Sequence, residues 1–148
     1  MRTTRPARAE DAPRLTGILS DWIEETAWMP RLHSRTDTLA FVRDMIHGGG
    51  VDVLCDGERA HGFLQETGGH ISALYLAPSA RGQGGGVMLL DAAKARSDRL
   101  DLWTFAANTG ARRFYRREGF VETDTSSDND EGLPDVRMQW AKEDTTDG

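Results

Sequence analysis

Residues 71–95 read ISALYLAPSARGQGGGVMLLDAAKA, and the fold is decided by how that stretch divides. Ile71, Ala73, Leu74, Tyr75 and Leu76 make a short apolar run that closes on Pro78. Such a run suits a buried strand over 71–77, because proline has no N–H to give to a ladder. Arg81, Gly82, Gln83, Gly84, Gly85 and Gly86 follow, after which Val87, Leu90 and Ala93 or Lys94 recur at helical spacing. The order is strand, glycine-rich turn, helix.

That order has a chemical use. Glycines ahead of a helix let the backbone take positive φ and leave no Cβ between the amides and a ligand. The unpaired N–H groups of the first helical turn, at the positive end of the helix dipole, then attract a phosphate-like anion. A plain surface connection satisfies the same residues. Two other anion-binding motifs fail on spacing. A P-loop ends in Gly-Lys-Ser/Thr, whereas Gly86 is followed by Val87 and Met88; a G-x-G-x-x-G fingerprint begun at Gly82 meets Val87 where its third glycine belongs. A nucleoside triphosphatase and a dinucleotide-binding enzyme are both disfavoured.

The 148 residues fit one domain, 1–148, with enough chain to bury a sizeable core. A formal charge of -6 argues against a nucleic-acid binder with a basic surface and suits a cationic small substrate or a peptide amine. Cys55 is the single cysteine, so no internal disulfide forms and nothing points to an oxidising compartment. No apolar stretch is long enough to span a membrane, and the N-terminal residues MRTTRPARAEDAPR lack an apolar signal segment, which makes a cytoplasmic protein the expectation.

Along the chain, residues 2–7 read as a first strand, at an edge or strand end because of Pro6. Asp11 offers a cap to a helix whose buried face is Leu15, Ile18, Leu19, Trp22 and Ile23. Residues 24–35 break the periodicity, and Trp28 there either walls a pocket or caps the core. Ser34-x-x-Asp37 is a capping box for a second helix with Leu39, Val42, Met45 and Ile46 on one face, ended by Gly48, Gly49 and Gly50. Val51, Val53 and Cys55 alternate with Asp52 and Leu54 ahead of the hairpin signal Asp56-Gly57, and 60–67 supplies the return strand. Gly68-Gly69 turns into the strand opened by His70, so three antiparallel strands lead into the glycine turn. Cys55, on the apolar face of its strand, belongs to the core.

Beyond a helix over 86–97, residues 100–106 (LDLWTFA) read as a strand buried on both faces. Ala111, Phe114 and Tyr115 mark a short helix stopped by Gly119, and Phe120 with Val121 opens another strand. Residues 124–135 read as a polar acidic loop, and 136–140 as a last strand before a charged, fraying tail. A calcium loop starting at Asp124 fails because its sixth position is Asn129, and no His and Cys cluster suggests a metal.

The run Arg81-x-x-Gly84-x-Gly86 behind an apolar strand resembles the acetyl-CoA pyrophosphate loop of the GNAT superfamily of N-acetyltransferases. A second block, Leu102-Trp103-Thr104-Phe105, Asn108, Ala111, Phe114-Tyr115 and Gly119-Phe120, is similar to the family's strand ending in Asn, followed by a short helix with a Phe-Tyr pair before Gly-Phe. The resemblance implies an α+β fold: a mixed, mostly antiparallel sheet of six or seven strands with about four helices. The strands at 71–77 and 100–106 would be parallel but splayed, with the pantetheine arm in the gap. Backbone groups of Leu74, Tyr75 and Leu76 would pair with that arm, while the amides of Arg81, Gly82, Gln83, Gly84, Gly85 and Gly86 hold the diphosphate. Arg81 would add its own charge or stand as a solvated surface cation. Asn108 would bond the arm or serve as a plain cap.

Acetyl transfer to an amine needs a neutral nitrogen, a polarised thioester carbonyl and a proton for the departing thiolate. Tyr115 matches the family's usual proton donor, a phenol of pKa about 10 facing a thiol near 8.5; the alternative is a buried aromatic paired with Phe114. The N–H near Leu76 would polarise the carbonyl. For the base, Glu66, His70, a tail acid acting through water and bulk solvent are all candidates, since strand 71–77 lacks the carboxylate that many relatives place there. Residues 122–135 carry six carboxylates and Trp140 follows, which makes either an acidic, aromatic-edged pocket for a cationic amine or a solvated loop. The function implied is acetyl-CoA-dependent transfer to a primary amine of a small molecule or peptide by direct attack in a ternary complex. The alternative is a GNAT-fold module that binds CoA and regulates without turnover. Acetyl-CoA and an amine acceptor are the partners expected, with no metal, nucleic acid or membrane, and a homodimer is the assembly to consider.

Overall fold

The computed structural model describes residues 2–142, and the charged tail beyond Lys142, with its candidate tail acids, lies outside them. The described chain runs β1 (Arg2–Pro6), α1 (Ala12–Glu25), α2 (Arg35–Gly48), β2 (Val51–Asp56), β3 (Arg59–Thr67), β4 (His70–Leu76), α3 (Gly85–Arg96), β5 (Arg99–Phe105), α4 (Thr109–Arg117), β6 (Val121–Ser126) and β7 (Asp135–Ala141), with single 3₁₀ turns before α1 and before α3.

Local chemistry explains most of these boundaries. Ser34 and Asp37 form the reciprocal capping box: the Asp37 N–H donates to Ser34 Oγ at 3.1 Å, and the Ser34 N–H to Asp37 Oδ2 at 3.2 Å. Gly49, at φ 85°, ends α2. Asp11 behaves differently from the cap expected of it. It already has helical dihedrals after the 3₁₀ turn, and its carboxylate turns back to the Arg8 N–H (2.7 Å) and the Arg5 guanidinium (2.8 and 2.9 Å). A charged bidentate partner outcompetes the helix amides for that carboxylate.

The sheet order is β1-β2-β3-β4-β5-β7-β6, antiparallel throughout except for the β4/β5 pair. Helices α1 and α2 cover one face, where Leu15, Ile18 and Val42 meet Val53, Cys55 and Phe63. The other face carries α3 and α4, where Leu89, Leu90 and Tyr115 meet Leu54, Leu64, Leu100, Leu102 and Met138. Among the described residues no helix is long and apolar enough to cross a membrane.

Two strands depart from the sequence pattern. β5 is not buried on both faces: Leu100 and Leu102 are buried while Trp103 is 41% exposed. The α1/α2 layer packs on the β2–β4 half of the sheet, so the second face of β5 has no helix above it. β6 runs on to Ser126 through residues expected in the acidic loop, because main-chain pairing of Asp124, Thr125 and Ser126 with β7 needs no apolar side chains on an edge strand. The loop proper is thus residues 127–134.

The parallel pair is brief. β4 and β5 are in register only at His70↔Asp101 and Ile71↔Leu102. Beyond Ile71 they separate, leaving a wedge that opens toward the glycine turn.

Candidate functional site

Strand alternation fixes what β4 shows to the wedge. The Ala77 N–H donates to the His61 carbonyl at 2.7 Å, and Gly62 stands opposite Leu76, so Leu76 is a non-hydrogen-bonded partner of β3. Its own N–H and C=O, and by the period of two those of Leu74, therefore point away from β3 into the gap. Tyr75, opposite Phe63, spends its backbone on β3 and reaches the wedge only through its side chain.

The glycine turn closes the open end. Gly82 and Gly84 have φ of 72° and 82°, and Gly84, in the left-handed region, is the residue before α3. The first intrahelical bond runs from the Met88 N–H to the Gly84 carbonyl, which leaves the amides of Gly85, Gly86 and Val87 without helix partners. Gly85 and Gly86 are needed for a different reason. A Cβ on Gly85 would stand 2.6 Å from Leu54 Cδ2, and one on Gly86 would stand 3.2 Å from Phe114 Cζ. A side chain at Gly85 would have to displace the buried Leu54 and one at Gly86 would press on the Phe114 ring, so glycine at both positions suits the close approach of α3 to β2 and α4.

Together these elements enclose a cavity of about 680 Å³. Leu74, Tyr75, Leu76, Arg81, Gly82, Gly84, Gly85, Gly86, Asn108 and Tyr115 all line it. Gln83 does not: its amide donates to the Ser79 carbonyl at 2.9 Å and accepts from the Arg2 guanidinium. Arg81 lines the cavity but is already engaged, donating to the Leu76 carbonyl from Nε (3.2 Å) and Nη2 (3.1 Å) and pairing with Glu25. Asn108 caps α4, its Oδ1 accepting from the Ala111 N–H at 3.1 Å. Among the described residues its Nδ2 has no partner.

Tyr115 is 7% exposed, held edge-on by Phe114 at 5.2 Å and tilted against Phe120 at 5.4 Å. Its hydroxyl has no hydrogen-bond partner among the described residues. Burial pushes its pKa well above the ordinary phenol value, with a smaller contribution from the Tyr75 phenol. Tyr75 is likewise pushed up, to about 12, by burial and then by the charge of Glu131. Both phenols are protonated at neutral pH.

The sequence did not single out Trp22, Phe114 or Arg117 as site residues, yet they line the same cavity. Trp22 sits on the helical face that marked it as core, and stands edge-on to Tyr75 at 5.2 Å and to Trp28 at 5.9 Å. Trp28 in turn meets Phe105 at 5.5 Å, so it packs between the end of α1 and the end of β5, beside the wedge. Arg117 is an exposed cation near the end of α4; the repeated arginines of residues 112–117 were the signal that could have found it.

A second cavity of about 450 Å³ shares Trp22 and Tyr75 with the first. The α1–α2 loop, α2 and the 127–134 loop wall it, with Leu32, Phe41, Asp130 and Glu131 among its residues. Asn129 fixes the acidic loop: its Nδ2 donates to the Leu133 carbonyl (2.8 Å) and to Asp135 Oδ2 (3.2 Å), and its Oδ1 accepts from the Leu133 N–H (3.2 Å).

Two base candidates are placed elsewhere. The Glu66 carboxylate is buried against Arg96 (3.2 Å) and the Gly69 N–H (2.8 Å). His70 pairs with Asp101 at 3.2 Å where β4 and β5 are still in register. Neither lines either cavity. Among the described residues no group of three or more His, Cys, Asp or Glu gathers as metal ligands do.

Comparison with known proteins bears on this arrangement. The family described as acetyltransferase (GNAT) domain matches residues 34–142. The chain is 30% identical over 135 residues to the peptidyl-lysine N-acetyltransferase YjaB of Salmonella typhimurium, covering 90% of this chain and 93% of that protein. It is 26% identical over 138 residues to the peptidyl-lysine N-acetyltransferase YiaC of Escherichia coli, covering 90% and 94%. The solution structure of apo-form YjaB from Escherichia coli is similar with a TM-score of 0.81 and 24% identity, over 97% of this chain and 99% of that one.

Proposed function

The chain belongs to the GNAT acetyltransferase family, and on that premise we propose that it moves the acetyl group of acetyl-CoA to the ε-amine of a lysine in a polypeptide, by direct attack in a ternary complex. The observation that carries the proposal is the wedge itself: the Leu76 N–H and the Leu74 backbone groups turned away from β3 on one wall, unpaired α3 amides at its mouth and the Tyr115 hydroxyl on the other wall, all lining one cavity. The polypeptide acceptor is supported by the activity named for YjaB and YiaC and by the second, acid-bearing cavity behind Trp22 and Tyr75.

Acetyl-CoA supplies an activated acyl group and a sulfur leaving group; the protein supplies position, polarity and protons. The amides at the start of α3 hold the diphosphate, with Arg117 as a further cation. The Leu76 N–H donates to the acyl oxygen as negative charge builds there. The neutral amine bonds to the acyl carbon and the C–S bond breaks. The Tyr115 hydroxyl gives its proton to the departing sulfur, and the surplus proton on nitrogen leaves through water, restoring the phenol. Asp130 and Glu131 favour approach of the lysine cation, which loses its charge before attack.

The test is free-thiol release from acetyl-CoA over a panel of lysine peptides, polyamines, amino acids and aminoglycosides. Steady turnover with lysine peptides is the expected result. Binding of CoA without turnover of any amine would instead favour a regulatory module.

A further inference from the structure

We propose that the second cavity selects, among lysine acceptors, those that carry a large apolar residue beside the lysine, with Phe41 and Leu32 receiving that residue. This rests on the acetyltransferase reading above and goes on to the sequence around the target.

Phe41 and Leu32 are 57% and 50% exposed, and few large apolar side chains in the described chain are as open. They stand on different elements, α2 and the α1–α2 loop, yet line the same cavity. Unpartnered apolar area of this kind, rimmed by polar groups, marks a place where a partner sits. The rest of the lining states the partner's charge. Asp130 and Glu131, on a loop pinned by Asn129, and Asp37 line the cavity together with His33 and Arg31, whose guanidinium donates to the Glu24 carbonyl at 3.4 Å; the three carboxylates outnumber the one guanidinium. The floor is Trp22 and Tyr75, which also line the wedge.

A cation that enters past the carboxylates meets the aromatic pair at the wall of the wedge, and the residue beside it in the chain lies over Phe41 and Leu32. A free polyamine fills the charged part and leaves the apolar shelf uncovered. A second copy of this chain fits the shelf poorly, since it brings a net charge of -6 against the same carboxylates. An apolar segment of a basic polypeptide satisfies both halves.

The experiment uses paired acetylation-competent peptides, one with Leu on both sides of a central lysine and one with Ser there, against the full chain, F41S and L32S. Both substitutions fall on exposed side chains, so the fold is kept. Initial rates are read with acetyl-CoA; peptide affinity is read by fluorescence anisotropy with CoA present. Wild-type protein is expected to prefer the Leu peptide about tenfold in kcat/KM and in Kd, from partial burial of an apolar side chain. F41S or L32S should flatten that ratio to within about twofold, the Leu peptide losing kcat/KM and affinity and the Ser peptide losing less. Equal kcat/KM for the two peptides on wild-type protein would overturn the proposal, as would a preference that survives both substitutions. So would sedimentation showing that F41S turns a dimer into a monomer with the preference intact. If no amine is turned over, the acetyltransferase reading fails by itself, and the Kd ratio still decides whether the shelf reads apolar neighbours.

Discussion

Replacing Tyr115 by Phe isolates one hydroxyl. The ring packs edge-on to Phe114 and against Phe120, and neither contact involves the oxygen. The hydroxyl has no hydrogen-bond partner among the described residues, so its removal strands no buried group. The stability change is therefore under about 1 kcal/mol, which for a chain of this size is a shift of roughly 2–4 °C or less in Tm. Turnover responds quite differently. Positioned acid catalysis is worth about 10²- to 10⁴-fold, equivalent to roughly 2.7–5.4 kcal/mol of barrier. Thiol release at saturating acetyl-CoA should fall by that factor in the variant while the KM for acetyl-CoA stays within about twofold. Because burial raises the Tyr115 pKa, the phenol keeps its proton through the range where ordinary tyrosines begin to ionise. The wild-type kcat profile should accordingly show no alkaline fall from loss of this acid below about pH 10. A Tyr115→Phe protein with kcat within threefold of wild type would refute the acid assignment, and a large drop in Tm would show that the packing argument is wrong.

Further expectations follow from the same geometry. Gly84→Val places a β-branched residue at φ 82°, where the left-handed conformation costs about 1–2 kcal/mol; the turn should shift and the Kd for acetyl-CoA rise about tenfold by calorimetry, whereas wild-type affinity would remove this turn from the cofactor site. Arg81 is tied to Glu25 and to the Leu76 carbonyl while Arg117 stands exposed at the same cavity, so Arg117→Ala should weaken CoA binding more than Arg81→Ala and leave acetyl-pantetheine unaffected; the reverse order would make Arg81 the phosphate ligand. Asp11 is held below its ordinary pKa chiefly by the Arg5 hydrogen bonds; a carboxyl depressed in the folded state stabilises above its unfolded pKa and loses that contribution as pH falls through the folded value. Denaturant titrations of Asp11→Asn should consequently be less pH-dependent than wild type below about pH 4, and an identical slope would show that the pair does not set acid stability.

What was legible in advance was local. The capping box at Ser34 and Asp37, the hairpin at Asp56-Gly57 and the glycine turn before α3 each depend on residues a few positions apart, and each is where the sequence put it. Side-chain partners brought together by the fold were not legible. Arg81 reads as a free cation beside glycines, but the end of α1 delivers Glu25 to it. Glu66 reads as an available base, but α3 places Arg96 on it. Trp22 reads as core from its helical spacing; only the splay of β4 from β5 makes it a wall of the wedge. Asn108 is the plain cap of the two alternatives as far as its Oδ1 goes, on a residue that also lines the cavity. The extension of β6 was hidden because edge strands pair through backbone and carry polar side chains freely.

The most direct measurement is the structure of the chain with acetyl-CoA bound. It should find the diphosphate on the amides of residues 82–87, the arm between β4 and β5 bonded to Leu74 and Leu76, and the thioester within hydrogen-bond reach of Tyr115. The coenzyme lying outside the wedge, or its sulfur turned away from Tyr115, would contradict that placement.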